Sequence, residues 1–212
     1  MKRLLLLLGI LGSMLCANAQ TEPIYLYEDF VEGVVYLKNH QLSHAKVNYD
    51  ASNLKMAFIN NGEILQIDDN SLIDSVVVDK QLFIPYNGHF AERVKMDRGV
   101  LLIDWKLEDK YTGKKVGAMG IGNGGSIEKI NTGLLYARMQ SDDKTQEIRK
   151  RTNENTYYLN FDGQSLKFKN EKQLTKALSS HKDEVKAFIK TNNVDFSSCA
   201  DVIVLSEYIL SL

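Results

Sequence analysis

The chain has 212 residues, with 26 basic and 27 acidic side chains, so its formal net charge at pH 7 is −1. A charge this close to zero argues against nucleic acid or an anionic membrane surface as the partner. A chain of this length makes one domain, or one domain with a small appendage, and is long enough to bury a core.

The first 19 residues have the three parts of a secretory signal peptide. Lys2 and Arg3 precede an apolar run from Leu4 to Leu15, and the small-residue motif Ala17-Asn18-Ala19 follows. The sequence predicts cleavage before Gln20 and export to the periplasm or the extracellular space. The apolar run is shorter than the roughly 20 residues that span a bilayer, so we expect no transmembrane segment in the mature chain.

The two cysteines bear on the chemistry of the exported chain. Cys16 would be the acylated residue of a lipoprotein, but Leu15 fits a lipobox poorly because the position before the cysteine should be small. After cleavage before Gln20, Cys199 is the one cysteine that remains, so an internal disulfide is excluded. Cleavage also leaves 24 basic and 27 acidic residues, a formal charge of −3.

Residues 33–105 alternate short apolar runs with polar turns about every ten residues. The runs are rich in Val, Ile, Tyr and Phe, as is typical of strands. Eight strands are predicted, at 33–38, 45–49, 54–59, 63–67, 73–78, 81–84, 90–96 and 100–105. Asn60-Asn61-Gly62 and Asn87-Gly88 are tight-turn sequences, and the gaps are too short for the helical crossovers of a parallel sheet. The pattern therefore predicts an antiparallel meander or an open barrel.

The alternation within the second predicted strand indicates which side chains face the core. Ala45, Val47 and Tyr49 lie on one side of such a strand, and Lys46 and Asn48 lie on the other. The sequence predicts a buried face and a solvated face.

The middle of the chain is less regular. Residues 107–115 are charged, and residues 113–125 are predicted to form a glycine-rich loop. Gly120, Gly122 and Gly125 match the spacing G-x-G-x-x-G, which holds a pyrophosphate only between a strand and a helix. Neither element is predicted beside this motif, so we expect no bound cofactor.

Two further strands and a hairpin partner are predicted at 134–139, 155–161 and 164–169. Between the first two lie residues 141–154, with four acidic and four basic side chains and almost no apolar residue. We interpret this segment as a solvated excursion rather than a recognition patch.

From Glu171 onward the apolar period changes from two to between three and four, which predicts helices. The second helix has Ser180 as its expected N-cap, and the third begins near Ser197 or Ser198. The apolar residues that mark the three helices are Leu174, Ala177 and Leu178; Val185, Phe188 and Ile189; and Val202, Leu205, Ile209 and Leu212. We predict an α+β fold in which an antiparallel β domain at 20–170 is covered by helices at 171–212 of the same domain.

Metal-binding patterns are weak. His40 and His44 are four residues apart, but the residues between them read as a turn and a third ligand is missing. Asp68, Asn70 and Asp74 have the spacing of a calcium loop, but apolar residues occupy a ligand position and the glycine position. We assign no metal site.

Cys199 is the candidate nucleophile. Its position in the first turn of the last helix favours a thiolate, and His181 is a possible partner. Asp201 opposes thiolate formation, so a packing role is the preferred interpretation. No catalytic or cofactor-binding residue is assigned.

One resemblance supports export and the fold. The chain resembles a set of uncharacterised secreted proteins of the Bacteroidota, which have no assigned activity, so the resemblance carries no site residues. The segments that carry it are Val35-Tyr-Leu-Lys-Asn39, Val47-Asn-Tyr49, Phe58 with Gly62, Lys114-Lys-Val-Gly-Ala-Met-Gly120, Val185-Lys-Ala-Phe-Ile-Lys190, Phe196 and Asp201.

Two functions remain open. The first is an exported, non-catalytic binding or structural module of the bacterial envelope. Its partner would be a protein, peptide or envelope component held on the exposed sheet face or an edge strand. The alternative is a secreted hydrolase of unrecognised type, which requires titratable groups to converge in one pocket. The two differ in whether His44, His89 or His181 meets a buried carboxylate in a concave site.

Overall fold

A computed structural model of the chain describes residues 23–116, 121–122 and 145–212, with side chains described for 23–110 and 150–212. The strands in chain order are β1 (Val31–Leu37), β2 (Leu42–Asp50), β3 (Lys55–Asn60), β4 (Glu63–Gln66), β5 (Ile73–Val78), β6 (Gln81–Tyr86), β7 (His89–Lys95), β8 (Val100–Asp104), β9 (Leu107–Val116), β10 (Ile121–Gly122), β11 (Thr145–Asn153), β12 (Thr156–Phe161) and β13 (Gln164–Phe168). The helices are α1 (Glu171–Ala177), α2 (Lys182–Thr191) and α3 (Cys199–Ser211), with a 3₁₀ turn at Ser179–His181.

Ten strands form one antiparallel sheet in the order β13-β12-β8-β7-β6-β5-β1-β2-β3-β4. The sheet is open, with β13 and β4 at its two edges, and the helices follow it in the chain. The predicted antiparallel α+β fold is therefore confirmed. The chain is not one continuous meander, because β4 and β5 lie on opposite sides of β1 and β2.

The eight strands predicted within residues 33–105 correspond to β1–β8, and their ends differ by at most three residues. Turn chemistry explains this agreement. Asn61 and Gly62 have φ of 51° and 84°, and Asn87 and Gly88 have φ of 49° and 84°, as two-residue hairpin turns require. The predicted strand at 134–139 lies outside the described residues.

A second sheet of three strands, in the order β10-β9-β11, was not anticipated. Residues 145–153 of the expected excursion pair with β9 from Thr145↔Val116 to Asn153↔Leu107. Opposite charges meet at the described end of this pairing: Arg151 contacts Asp109 at 3.1 Å, and Lys110 contacts Glu154 just after β11. Such pairs stabilise strands that have little apolar surface.

The glycine-rich segment differs in part from the predicted loop. Residues 113–116 belong to β9, and Ile121 and Gly122 pair with Lys115 and Lys114 in antiparallel register. Gly122 therefore lies in a strand and not at a strand-to-helix turn. Residues 117–120 and 123–144, which include Gly120, Gly125 and part of the excursion, lie outside the described residues.

Two hydrophobic cores lie along one side of the large sheet, which we call the inner face. The first, the curled core, is enclosed by the sheet itself, because β3 comes within 8 Å of β7, measured between Cα atoms. Its centre is Tyr49, whose ring stacks on Phe83 at 5.4 Å and whose hydroxyl donates to the carbonyl oxygen of Phe90 at 3.0 Å. The second, the helix-covered core, lies between the helices and β8, β12 and β13. Trp105 packs against both cores.

Capping side chains fix where two of the helices begin. Asn170 Oδ1 accepts the N–H of Gln173 at 3.0 Å, and Gln173 Oε1 accepts the N–H of Lys169 at 2.9 Å, a reciprocal cap for α1. Ser198 Oγ accepts the N–H of Asp201 at the start of α3, as expected. The predicted N-cap of α2, Ser180, is wrong: the 3₁₀ turn places His181 there, without a side-chain cap.

The apolar stripe of α3 explains how it covers the sheet. Val202, Leu205 and Ile209 are buried as predicted, whereas Leu212 is 44% exposed. In α2, Val185 and Ile189 are buried, so both helices contribute to the helix-covered core.

Candidate functional site

The three histidines that separate a hydrolase from a binding module lie in different surroundings. His44 is exposed on β2, and His181 contacts the exposed Glu184 at 3.2 Å. His89 lies at the start of β7 with its Nε2 3.0 Å from Oδ1 of Asp104 on β8. Their side chains are 19% and 14% exposed, so this pair is the candidate centre for acid–base chemistry.

The pair belongs to a small cluster on the outer face of the sheet, the face opposite the helices. Tyr86 lies opposite His89 across the β6–β7 hairpin. The Tyr86 ring meets the Tyr158 ring at 5.0 Å between centroids, although β7 and β8 lie between their strands. Ala91 on β7 belongs to the same apolar cluster as these rings and has no exposed surface. The two rings thus pack against each other above β7 and β8 on the outer face of the sheet.

The environment of His89 supports a structural role. Asp104 raises the pKa of His89, burial opposes that shift, and a backbone hydrogen bond with Asn87 also raises it. At a Nε2–Oδ1 distance of 3.0 Å, protonated His89 forms an ion pair with Asp104. Because Asp104 and the backbone of Asn87 both engage the ring, His89 ties the β6–β7 turn to β8 and does not present a free base.

This ion pair predicts a pH-dependent part of the stability. The pKa of His89 in the folded protein is raised above the ordinary 6.5. The ion pair therefore contributes fully to the free energy of unfolding below pH 6.5, and this contribution is lost as the pH rises through the folded-state pKa. We therefore expect the difference in urea midpoint between the wild type and His89→Gln to shrink from pH 6 to pH 9. His44→Gln, on an exposed strand position, is the control and should show no such trend. A pH-independent difference for His89→Gln would contradict the ion pair.

Cys199 is surrounded by side chains that hold a neutral thiol. Its Sγ lies 3.3 Å from Asn155 Nδ2 and 3.7 Å from the Tyr157 hydroxyl. Burial raises the pKa of Cys199, and the hydrogen bonds from Tyr157 and Asn155 only partly offset this. The possible partner His181 contacts Glu184 instead. The environment favours a packing role for Cys199.

A shallow polar depression of about 220 Å³ lies near Cys199, at the junction of the β11–β12 connection with α1 and α3. Its amides are used within the protein: Asn153 donates to the carbonyl oxygen of Ser197, and Asn155 accepts the N–H of Lys106 at 2.8 Å. The depression is lined by Asn153, Glu154, Asn155, Lys169, Asn170, Phe196 and Ser197. These contacts join the β11–β12 connection to neighbouring segments of the chain, and they indicate a structural role rather than a ligand pocket.

The weak metal patterns do not converge. Asp68 pairs with Lys55, Asn70 donates to the carbonyl oxygen of His89, and Asp74 contacts Ser75. Across the described ranges, no three His, Cys, Asp or Glu side chains are placed to hold a metal ion.

The strongest candidate is the sheet edge at β4. Leu65 lies opposite Phe58 on β3, and the Ile67 N–H donates to the Met56 carbonyl oxygen at 2.8 Å. These two pairings show which residues of β4 hydrogen-bond to β3. Every second residue therefore bonds to β3, as Leu65 and Ile67 do. The backbone N–H and C=O groups of Ile64 and Gln66 point away from the sheet.

The side chains of β4 leave this edge apolar. Ile64 is 53% exposed on the outer face, and Leu65 is 38% exposed on the inner face. Natural edges are commonly protected by lysine, proline or a bulge. The opposite edge, β13, carries Lys167, and α1 contacts it. Among the described residues, β4 has no lysine, proline or covering helix, and its length of four residues is the one such device that it carries.

The polar partners of β4 hold it in place. Gln66 Nε2 donates to Oδ2 of the buried Asp50 at 3.1 Å. This bond links the edge to the turn between β2 and β3, so β4 is a short, anchored strand whose outer side is unpaired among the described residues. We call Glu63–Gln66 with its outward backbone groups the docking edge.

The pattern of residues 63–67 predicts a strand but not its place at the edge of the sheet. Edge position depends on the crossing from β4 to β5, which no local pattern records. The absence of Lys and Pro from Glu63 to Ile67 was the one available signal.

Comparison of the chain with protein-family models gives no match. Searches of curated proteins and of solved structures also give no match. Among the described residues, none of the helices is long and apolar enough to cross a membrane. The function is therefore inferred from the geometry of the molecule itself.

Proposed function

We propose that the protein is an exported, non-catalytic binding module that captures an extended segment of a partner protein at the docking edge. The observation that carries the proposal is an edge strand with no lysine, proline or covering helix among the described residues, whose Ile64 and Gln66 backbone groups point outward beside exposed Ile64 and Leu65 side chains. An added strand would satisfy those backbone groups and bury the two apolar side chains.

The inner face offers a second source of affinity. Phe58 and Ile67 beside Leu65 are partly buried members of the curled core, so an apolar side chain of the partner would extend that core. Main-chain hydrogen bonds then give affinity, and alternate side chains give specificity.

Ile64→Pro tests the proposal without breaking β3–β4 pairing, because the N–H it removes points away from β3. We expect Ile64→Pro to reduce partner capture by about tenfold or more in a crosslinking pull-down from the native envelope. The matched control is Ser165→Pro on β13. Ser165 is the second residue after the Asp162-Gly163 turn, just as Ile64 is the second residue after Gly62.

The two variants share the chemical change and the hairpin position, and differ in which edge they block. The Ser165→Pro variant should capture the same partner as the wild type, and both variants should keep the wild-type urea midpoint. Equal capture by Ile64→Pro and wild type would show that the docking edge does not bind the partner.

Export is part of the proposal and rests on residues 1–19. We expect the mature protein to begin at Gln20, because the Ala17-Asn18-Ala19 motif places the cleavage site there. Intact mass of the exported protein measures this directly. Retention of residues 1–19, or a diacyl adduct on Cys16, would contradict it.

A further inference from the structure

The docking edge has a charge at one end. Glu63, its first residue, is exposed, and its side chain shares the inner face with Leu65. Asp68 follows the strand and is paired with Lys55. Within the described residues no ion pair is formed by Glu63, so its carboxylate is available to a partner.

An antiparallel strand on this edge would have its residues in fixed positions. Its hydrogen-bonded positions would lie opposite Ile64 and Gln66, because those residues present their N–H and C=O groups outward. Its side chains opposite Leu65 and Glu63 would share the inner face, two residues apart. The residue opposite Glu63 would be nearer the C-terminus of the captured strand.

Antiparallel capture is favoured by the geometry already present. Every pairing in the large sheet is antiparallel, and antiparallel pairs are slightly more stable per residue than parallel ones. Opposite charges across such a pair stabilise it, and like charges directly opposite destabilise it.

We infer that the captured segment is an extended peptide with an apolar residue opposite Leu65 and a Lys or Arg two residues nearer its C-terminus, opposite Glu63. This inference rests on the proposed function and specifies the partner chemistry of the same edge. The apolar residue extends the curled core at Leu65, and the cation pairs with the exposed carboxylate.

Two fluorescein-labelled peptides test this with the full mature protein: capped Ser-Val-Thr-Val-Ile-Lys and its counterpart ending in Glu. Fluorescence polarisation should show the Lys peptide binding about fivefold tighter at low salt. In about 0.5 M NaCl the ratio should fall towards one. Glu63→Gln should remove the preference, and Ile64→Pro should weaken binding of both peptides.

The other outcomes separate the two proposals. Equal binding of both peptides that is lost in Ile64→Pro would overturn the charge inference and leave strand capture standing. Binding of neither peptide would overturn the inference, and the pull-down with Ile64→Pro and Ser165→Pro would then decide strand capture by itself. Undiminished binding of the Lys peptide to Ile64→Pro would place the interaction elsewhere and overturn the inference.

Self-association is the other interaction to test, with a second copy of the chain paired to the docking edge. Sedimentation velocity at the concentrations used for polarisation is expected to show a monomer. A dimer that Ile64→Pro converts to monomer would assign the edge to self-association and overturn capture of a cationic peptide.

Discussion

A chain that ends at Lys169 is expected to lose cooperative folding and to aggregate. The deletion removes α1, α2 and α3, which cover the inner face of β8, β12 and β13. The sheet residues of that core with no exposed surface are Leu101, Ile103, Tyr157, Leu159 and Phe168. At roughly 1.5–3 kcal/mol for each side chain, their exposure costs roughly 10 kcal/mol, which is comparable with the whole stability of a typical domain. Thermal unfolding and static light scattering measure the loss.

A point variant keeps this prediction testable if the shortened chain cannot be purified. Leu205 on α3 has no exposed surface, whereas its neighbour Val204 is 57% exposed. We expect Leu205→Ala to lower the free energy of unfolding by about 2–5 kcal/mol, and Val204→Ala by less than about 0.5 kcal/mol. A soluble truncated chain with the wild-type melting temperature would show that the helices are a separate unit.

The strands of the large sheet could be predicted because their signals are local. Alternating apolar residues and the turn residues Asn61, Gly62, Asn87 and Gly88 lie within a few positions of the strands they define. The helices followed from apolar periodicity in the same way. The order of the strands could not be predicted, because the step from β4 to β5 passes across β1, β2 and β3 without any local sequence signal.

The second sheet shows where charge misled the interpretation. Residues 145–153 have the composition of a solvated excursion, yet they pair with β9 along its length. The register brings together cross-strand partners such as Arg151 and Asp109, which are 42 residues apart in the sequence. Only the fold brings such pairs together.

The polar residues of β2 show the same limit. The alternation in β2 predicts Asn48 on the solvated face, but Asn48 has no exposed surface. Its Nδ2 donates to the carbonyl oxygens of Tyr27 and Asp29, and its Oδ1 accepts the N–H of Tyr27. The N-terminal segment 23–30 therefore covers part of this face, and the side-chain amide replaces backbone pairing where that segment departs from β2.

Asp50 continues this buried polar layer at the end of β2. It has no exposed surface, and it joins the N-terminal segment, the β2–β3 turn and the docking edge. Oδ1 accepts from Ile24 N at 3.3 Å, Ser52 N at 3.1 Å, Ser52 Oγ at 2.7 Å and Asn53 N at 3.2 Å; Oδ2 accepts from Asn53 Nδ2 at 2.7 Å and Gln66 Nε2 at 3.1 Å. A buried carboxylate with both oxygens engaged is an anchor for all three segments.

Asp50→Ala is expected to lower the free energy of unfolding by about 3 kcal/mol, because it leaves several buried donors without an acceptor. Asp50→Asn should also destabilise, since its amide N–H groups would face the donors of Asn53 and Gln66. Asp69 is the matched control: it accepts the N–H of Ser71 at 2.8 Å in a similar turn but is exposed, so Asp69→Ala should change stability little. Urea denaturation measures the difference, and hydrogen exchange should show faster exchange in residues 23–30 of Asp50→Ala. Equal urea midpoints for the two alanine variants would mean that Asp50 is not the anchor.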